Sequence, residues 1–189
     1  MLHLLLELVV LAFPISEIAL GILRRARGPR DTSVSDRGSM RLLWIVILGS
    51  VTVAAVLSHY HAAAIHASHA AIDAIALVLL IGGLALRWVS IIVLGRFFTV
   101  NVAILDGHHV VDTGPYRFVR HPSYTGLLVA FAGLGLYFMN WLSFAITLAG
   151  ILPALLYRIR IEEAALNASL GEAYAAYSAR TKRLIPGLL

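Results

Sequence analysis

A polar segment runs from Gly107 to Tyr124 within an otherwise apolar half of the chain. It contains three histidines, two tyrosines and two arginines, together with the turn signal at 114–115. Ionisable side chains are costly beside membrane-crossing segments, so such a cluster is by default a functional-site hypothesis. A second polar cluster follows at residues 158–163, and we expect the chemistry of the protein at these two places.

The first cluster ends in a helix-start signal. In His121-Pro122-Ser123, proline takes the first helical position, where its missing N–H is not needed. The free backbone N–H groups of a helix start attract carboxylate or phosphate, and Arg120, His121 and Tyr124 would surround that anion with donors. One interpretation is therefore an anion-receiving pocket. The alternative is a basic juxtamembrane loop with interfacial aromatic residues.

The second cluster places cations and carboxylates on one helix. Arg158 and Glu162 are four residues apart, and Arg160 and Glu163 are three apart. The simpler interpretation is an exposed ion pair, which contributes about 0.2–0.5 kcal/mol. Two adjacent carboxylates also suit an ammonium group or ribose hydroxyls. Beside an anion-binding helix start, they match an amino-acid zwitterion such as the methionine moiety of S-adenosylmethionine.

The composition indicates an all-α integral membrane protein. The chain of 189 residues is 60% hydrophobic and 13% charged, whereas soluble domains are about 25% charged. It has no cysteine, which excludes disulfides, thiolate catalysis and cysteine-based metal sites. The net charge of +5 reflects basic residues on the cytoplasmic side, so no nucleic-acid partner is expected.

Five apolar stretches approach the about 20 residues that a helix needs to cross the hydrocarbon layer. They are residues 2–23, 42–57, 71–94, 123–138 and 141–161. The first lacks a basic leader and is expected to be a retained span. Residues 171–180 then predict a cytoplasmic amphipathic helix, which is either an interfacial anchor or a wall over the site.

The basic residues predict the orientation. All fifteen Lys and Arg lie in three groups, at 24–41, 87–120 and 158–183. With five spans, this distribution predicts an outside N-terminus, and a cytoplasmic C-terminus and active site. We expect a three-span region at 1–94 and a second region at 95–189 that carries the cofactor loop, a two-span hairpin and the C-terminal helix.

Both clusters resemble the isoprenylcysteine carboxyl methyltransferase family. The resemblance is carried by the Arg-His-Pro-x-Tyr run at 120–124 and the Glu-Glu pair at 162–163. Residues 106–116 and the tail 171–186 add to it, so that it covers roughly residues 95–187. It is shared more loosely with membrane phospholipid methyltransferases.

The resemblance implies methyl transfer from S-adenosylmethionine to the carboxylate of a lipid-like or isoprenylated acceptor. By position, the cofactor would contact Asn101, His108, Val111, Tyr116, His121, Pro122, Ser123, Tyr124 and Glu162. Glu163 would support Glu162 or take its role. Arg158 would be the catalytic residue that holds the acceptor carboxylate. A prenylated protein, a small isoprenoid and a lipid acid are all open as acceptors.

Other classes of protein are open alternatives. A phospholipid N-methyltransferase would take an amine acceptor, against which a carboxylate-binding Arg158 argues mildly. A non-enzymatic transport or scaffold protein would more often place its charges along a path through the spans, whereas here they cluster on one side. The four histidines at 59–69 match no metal motif, so no metal is expected. The oligomeric state is not predicted.

Arg87 lies within the third predicted span. It is expected to snorkel to the cytoplasmic surface, and the alternative is a pair with Glu17 inside the bundle. Small residues at 126, 130 and 133 predict a close helix approach on the fourth span.

Overall fold

The computed structural model describes residues 1–23, 38–100, 102 and 104–187. These residues form α-helices and short 3-10 turns, and within the described ranges there is no β-strand beyond isolated bridges. The helices are α1 (Leu2–Leu23), α2 (Ser39–Leu57), α3 (His69–Leu94), α4 (Pro122–Tyr137), α5 (Trp141–Leu170) and α6 (Glu172–Arg180). The all-helical architecture is confirmed.

Four segments are long and apolar enough to cross a membrane, namely Leu2–Leu23, Ser39–Leu57, His69–Phe97 and Trp141–Leu170. α4 lies where a further span is predicted, but its 16 residues extend only about 24 Å at 1.5 Å per residue. The hydrocarbon layer is about 30 Å thick, so the fifth crossing stays a prediction. α5 continues beyond the expected end at residue 161, because its first break is Gly171 with a φ of 51°.

α4 packs against α3 on one side and α5 on the other. Glycines allow the backbones of α3 and α4 to come into contact. A Cβ added at Gly126 would lie 2.5 Å from the carbonyl oxygen of Gly83, and one at Gly133 would lie 2.7 Å from that of Ala76. The predicted close approach of small residues is therefore confirmed, and it fixes the first turn of α4 relative to α3.

Asn140 closes a tight hairpin between α4 and α5. Its Oδ1 accepts hydrogen bonds from the backbone N–H groups of Leu142 and Ser143, at 2.9 and 3.1 Å, which caps the first turn of α5. Its Nδ2 donates to the carbonyl of Tyr60 at 2.9 Å. Because the two helices run antiparallel, the start of α4 lies beside the second half of α5, where the Arg158–Glu163 cluster is found.

A buried ion pair joins α1 to α3. Arg87 donates from Nε and Nη2 to the two carboxylate oxygens of Glu17, at 2.6 Å each. It also donates from Nη1 to the Oγ of Ser123 on α4 at 2.9 Å. The snorkelling expected for Arg87 is wrong, because its side chain turns inward to a carboxylate that offsets the burial of its charge. The alternative, a pair with Glu17, is confirmed.

The tail after α6 returns to the start of α4. The backbone N–H of Arg120 donates to the carbonyl of Lys182 at 2.7 Å, and Oγ1 of Thr125 donates to the carbonyl of Leu184 at 2.7 Å. These bonds place α6 and the tail beside the first turn of α4. The same end of the bundle therefore collects both polar clusters and the C-terminal segment.

Candidate functional site

A cavity of about 440 Å³ lies between α1, α2 and α4, and residues 98–100, residues 108–111 and α6 also contribute to its lining. One end, called the polar end, is lined by His108, Tyr116, His121, Tyr124, Arg158 and Glu162. The remainder, called the apolar arm, is lined mainly by Phe13, Leu43, Ile47, Val51, Leu127 and Phe131. Small-molecule sites are typically about 300–1,000 Å³, so the cavity suits a ligand or ligand pair with polar and apolar parts.

Tyr124 connects the charged groups of the polar end. The Nε of Arg158 donates to the Tyr124 hydroxyl at 2.9 Å, and that hydroxyl donates to Oε2 of Glu162 at 2.8 Å. Arg158 is only 2% exposed, so the interpretation of Arg158 and Glu162 as an exposed surface pair is wrong. The phenol accepts from the cation and donates to the carboxylate, which holds both side chains at fixed positions on α5.

Other elements complete the environment of Arg158. Its Nη1 donates to the Oγ of Ser39 at 2.9 Å, and its Nη2 donates to the carbonyl of Val100. Hydrogen bonds to charged groups each contribute about 1.5–3 kcal/mol. The plane of the guanidinium is therefore set from α2, α4 and the loop after α3. A buried cation held in this way suits a carboxylate, whose oxygens could accept from N–H groups of Nη1 and Nη2 that these three bonds do not use.

Glu162 and Glu163 have different environments although they are neighbours. Glu162 lines the cavity. The carboxylate of Glu163 accepts from Nε of Arg120 at 2.9 Å and from Nε of Arg183 at 3.0 Å, and Nε2 of His121 lies 3.4 Å from it. The bond to Glu163 raises the pKa of Arg183 above its usual value. Glu163 thus ties the tail to the start of α4.

Two buried polar atoms have no hydrogen-bond partner among the described residues, Nδ1 of His108 and the hydroxyl of Tyr174. Both side chains line the cavity. Buried polar groups are normally hydrogen-bonded, so these atoms fit a ligand that carries donors and acceptors. Burial lowers the pKa of His108 below 6.5, with His109 acting in the same direction and Glu162 opposing it. The imidazole is therefore neutral near pH 7.

Two tyrosines join α6 to the rest of the polar end. The Tyr177 hydroxyl donates to the carbonyl of Tyr116 at 2.7 Å, and the Tyr116 hydroxyl donates to the carbonyl of Ser90 at 3.3 Å. Burial raises the pKa of Tyr116, with Glu162 adding to the effect, and burial raises that of Tyr177 to about 12. Both phenols therefore stay protonated and act as donors at neutral pH.

The structure brings most of the predicted site residues together. Those that line the cavity are His108, Val111, Tyr116, His121, Ser123, Tyr124, Arg158 and Glu162. Pro122 is buried as the first residue of α4 and Glu163 faces the arginines, so neither is part of the lining. Asn101 lies outside the described residues. Within the ranges that the structure describes, no group of three His, Cys, Asp or Glu side chains is arranged to hold a metal.

Sequence reasoning missed Ser39 as a partner of Arg158. It lies near the end of the basic 24–41 segment as the first residue of α2, and no motif surrounds it. The one signal in the sequence is the glycine at position 38. In the structure, Gly38 has a φ of 74° and marks the turn into α2. A serine after such a turn is common, so this signal does not predict a contact 119 positions along the chain.

Comparison with known proteins gives one family. Residues 74–168 match the model of the isoprenylcysteine carboxyl methyltransferase (ICMT) family. Protein-S-isoprenylcysteine O-methyltransferase A of Arabidopsis thaliana is 31% identical over 112 residues, which are 58% of this chain and 57% of the relative. A probable protein-S-isoprenylcysteine O-methyltransferase of Oryza sativa subsp. indica is 29% identical over 114 residues, 59% of this chain and 60% of that protein.

A solved structure agrees with these matches. It is the eukaryotic intramembrane Ras methyltransferase, an isoprenylcysteine carboxyl methyltransferase, with a TM-score of 0.58 and 26% identity. The similarity covers 76% of this chain and 52% of that one. The chain spans between half and three fifths of the length of these proteins. The described helices and this likeness identify an integral, multi-pass membrane protein.

Proposed function

The chain belongs to the isoprenylcysteine carboxyl methyltransferase family, and we propose that it transfers a methyl group from S-adenosylmethionine to the carboxylate of a lipid-like acceptor. One observation carries the proposal. Arg158, a buried cation suited to a carboxylate, is linked through Tyr124 to Glu162 in the polar end of a cavity that also has an apolar arm. This arrangement supports binding of the acceptor and the donor in one cavity.

The polar end supports binding of the donor. Glu162 offers a carboxylate to an ammonium group or to ribose hydroxyls, whereas the backbone N–H groups of His121, Tyr124 and Thr125 at the start of α4 already donate to backbone carbonyls. The atoms of His108 and Tyr174 that lack partners among the described residues offer further hydrogen bonds. When bound, S-adenosylmethionine supplies a methyl group activated by a sulfonium. The proposed contacts are Asn101, His108, Val111, Tyr116, His121, Pro122, Ser123, Tyr124 and Glu162, with Glu163 acting through His121 and Arg120.

The proposed role of the residues at the acceptor side is to position the acceptor carboxylate. A carboxylate acceptor is already ionised at pH 7, so no general base is required. Arg158 binds the carboxylate through its planar fork and turns one oxygen toward the donor. Alignment of the reacting groups and exclusion of water then provide the rate enhancement. An amine acceptor would instead meet the buried cation of Arg158, which disfavours phospholipid N-methylation.

The apolar arm supports a lipid acceptor. Leu43, Ile47 and Val51 are each four residues apart, so they share one face of α2 and line the arm. Val51→Trp would shorten this arm. Because each buried CH₂ contributes about 0.8 kcal/mol, we expect kcat/KM for an S-farnesyl acceptor to fall at least about 10-fold relative to an S-geranyl acceptor. Val56→Trp, on the same helix but 67% exposed, should leave the ratio unchanged, and equal ratios in both variants would contradict a lipid in the arm.

Arg158 and Glu162 test the division of roles. With detergent-purified protein, Arg158→Ala should lower methyl transfer to N-acetyl-S-farnesylcysteine about 100-fold or more, while binding of S-adenosylhomocysteine stays near the parent value. Glu162→Gln should weaken that binding. Arg160→Ala and Glu172→Gln are matched controls on the exposed surface. Folded Arg158→Ala or Glu162→Gln protein that methylates as well as the parent would reject the assignment.

We also propose that α4 makes a fifth crossing, with the N-terminus outside and the site and C-terminus in the cytoplasm. The basic groups at 87–120 and 158–183 support this orientation. The cysteine-free chain allows a direct test, since Ser68→Cys and Ser178→Cys should react with an impermeant thiol reagent from opposite sides. Labelling of both from one side would overturn the five-span topology.

A further inference from the structure

The start of α2 reaches the acceptor side of the cavity. Gly38 has a φ of 74°, in the left-handed region that favours glycine. Ser39 follows it with 1% exposure, and its Oγ accepts a hydrogen bond from Nη1 of Arg158 at 2.9 Å. A residue from the first spans of the chain therefore contacts the proposed carboxylate-binding group directly.

Ser39 is one of the described contacts that orient the Arg158 fork. Tyr124 holds Nε and the carbonyl of Val100 holds Nη2, and Ser39 is the described partner of Nη1. Contacts on all three nitrogens hold a planar group more firmly than contacts along one edge alone. Because a displacement of about 1 Å at a reacting group can lower a rate 100-fold, the third contact bears on catalysis.

The same face of α2 lines the apolar arm. Ser39, Leu43, Ile47 and Val51 are spaced by four residues, and the last three line the cavity. α2 also packs against α5, the helix that carries Arg158. One helical face thus contacts the arginine that would bind the carboxylate, and continues along the space that would hold the lipid.

We propose that Ser39 is a positioning residue that sets the Arg158 fork for the acceptor carboxylate, which makes α2 part of acceptor recognition. The inference rests on the proposed methyl transfer. It also assigns a role to a residue outside the family match, which begins at residue 74. The contact fixes how the acceptor carboxylate lies relative to its lipid chain, because both are held by one face of α2.

The test separates the two substrates. In Ser39→Ala, kcat/KM for N-acetyl-S-farnesylcysteine should fall about 10-fold, as expected for loss of a hydrogen bond to a charged group. The KM for S-adenosylmethionine and the Kd for S-adenosylhomocysteine should stay within about twofold of the parent. Binding of N-acetyl-S-farnesylcysteine, titrated in the presence of S-adenosylhomocysteine, should weaken in parallel. Ser39→Thr, which keeps the hydroxyl, should recover most of the loss.

A control variant on the same helix separates loss of the contact with Arg158 from a general effect of replacing a serine on α2. Ser58→Ala, at the other end of α2, removes only a local bond to the carbonyl of Ala55 and should match the parent. If Ser39→Ala is too unstable to purify, Ser39→Cys keeps the shape with a weaker acceptor and should show the same selective loss. With an active parent, unchanged Ser39 variants, or variants in which the affinities for N-acetyl-S-farnesylcysteine and S-adenosylhomocysteine weaken equally, would overturn the inference alone. A folded parent without acceptor methylation would instead overturn the proposed function.

Discussion

On one side of the cavity the backbones of α4 and α3 are in contact. On the other side, α1 and α2 expose much of their surface. The α3/α4 wall is closed by contacts at glycines, and the first turn of α4 carries Ser123 and Tyr124. α1 buries only Leu6, Phe13 and Leu20. The polar groups that need fixed positions thus lie on tightly packed helices, and most of the apolar arm lies on helices that face lipid.

Among the described residues, polar contacts join α1 to α3 and α2 to α5, the latter including the hydrogen bond that Oγ of Ser143 donates to the carbonyl of Ala54 at 2.7 Å. Glu17 pairs with Arg87, and His3 lies 3.0 Å from Asp73, so α1 is tied to α3 at both ends. Ser39 ties α2 to Arg158. We therefore expect α1 to depend on its two polar contacts with α3, whereas α2 packs against α5 and the α3/α4 wall depends on close packing.

The largest stability effect is expected from Glu17→Gln. It leaves Arg87 buried and uncompensated, which typically destabilises a protein by about 3–5 kcal/mol. Thermal unfolding in detergent should show a large decrease in Tm. Glu7→Gln, on the same helix with a side chain that is 44% exposed, should have little effect. Similar Tm values for the two variants would mean that the buried pair does not hold α1.

A smaller effect is expected from Gly126→Ala. The added methyl would meet the backbone of Gly83 at 2.5 Å, and backbone cannot move aside as a flexible side chain can. Overpacking of this kind typically destabilises by about 1–3 kcal/mol. Gly82→Ala is the control, because its Cβ would have no atom within 4 Å. An unchanged Tm in Gly126→Ala would contradict backbone contact between α3 and α4.

The smallest effect is a pH dependence at the polar end. His108 has a pKa below 6.5 in the folded protein because of its burial, so the unfolded chain takes up the proton first as the pH falls. Its contribution to stability is therefore complete above about pH 6.5 and decreases below it. Between pH 7.5 and 5.5, Tm should fall less in His108→Gln than in the parent. The exposed His66→Gln should behave like the parent, and an identical pH response in all three proteins would contradict a buried neutral His108.

The sequence predicted the α3/α4 wall and its site better than the α1/α2 wall. Helix starts, the Arg-His-Pro-x-Tyr run and small residues are local signals, and they located the first turn of α4 correctly. The different environments of Glu162 and Glu163 are not predictable from the sequence, because adjacent positions differ by about 100° around a helix and the phase depends on packing. Pairing of Arg87 with Glu17 was only an alternative, since a lone arginine in an apolar run does not identify its partner.

Methyl-ester formation is the measurement that tests the central claim most directly. The purified parent would be incubated with methyl-labelled S-adenosylmethionine and either N-acetyl-S-farnesylcysteine or phosphatidylethanolamine. Because Arg158 lies at the acceptor side, we expect the S-farnesyl acid to become labelled as a methyl ester, from which mild base releases labelled methanol. We expect no label in phosphatidylethanolamine. Base-stable label in phosphatidylethanolamine, or no transfer to the acid by a parent that binds S-adenosylhomocysteine, would contradict carboxyl methylation.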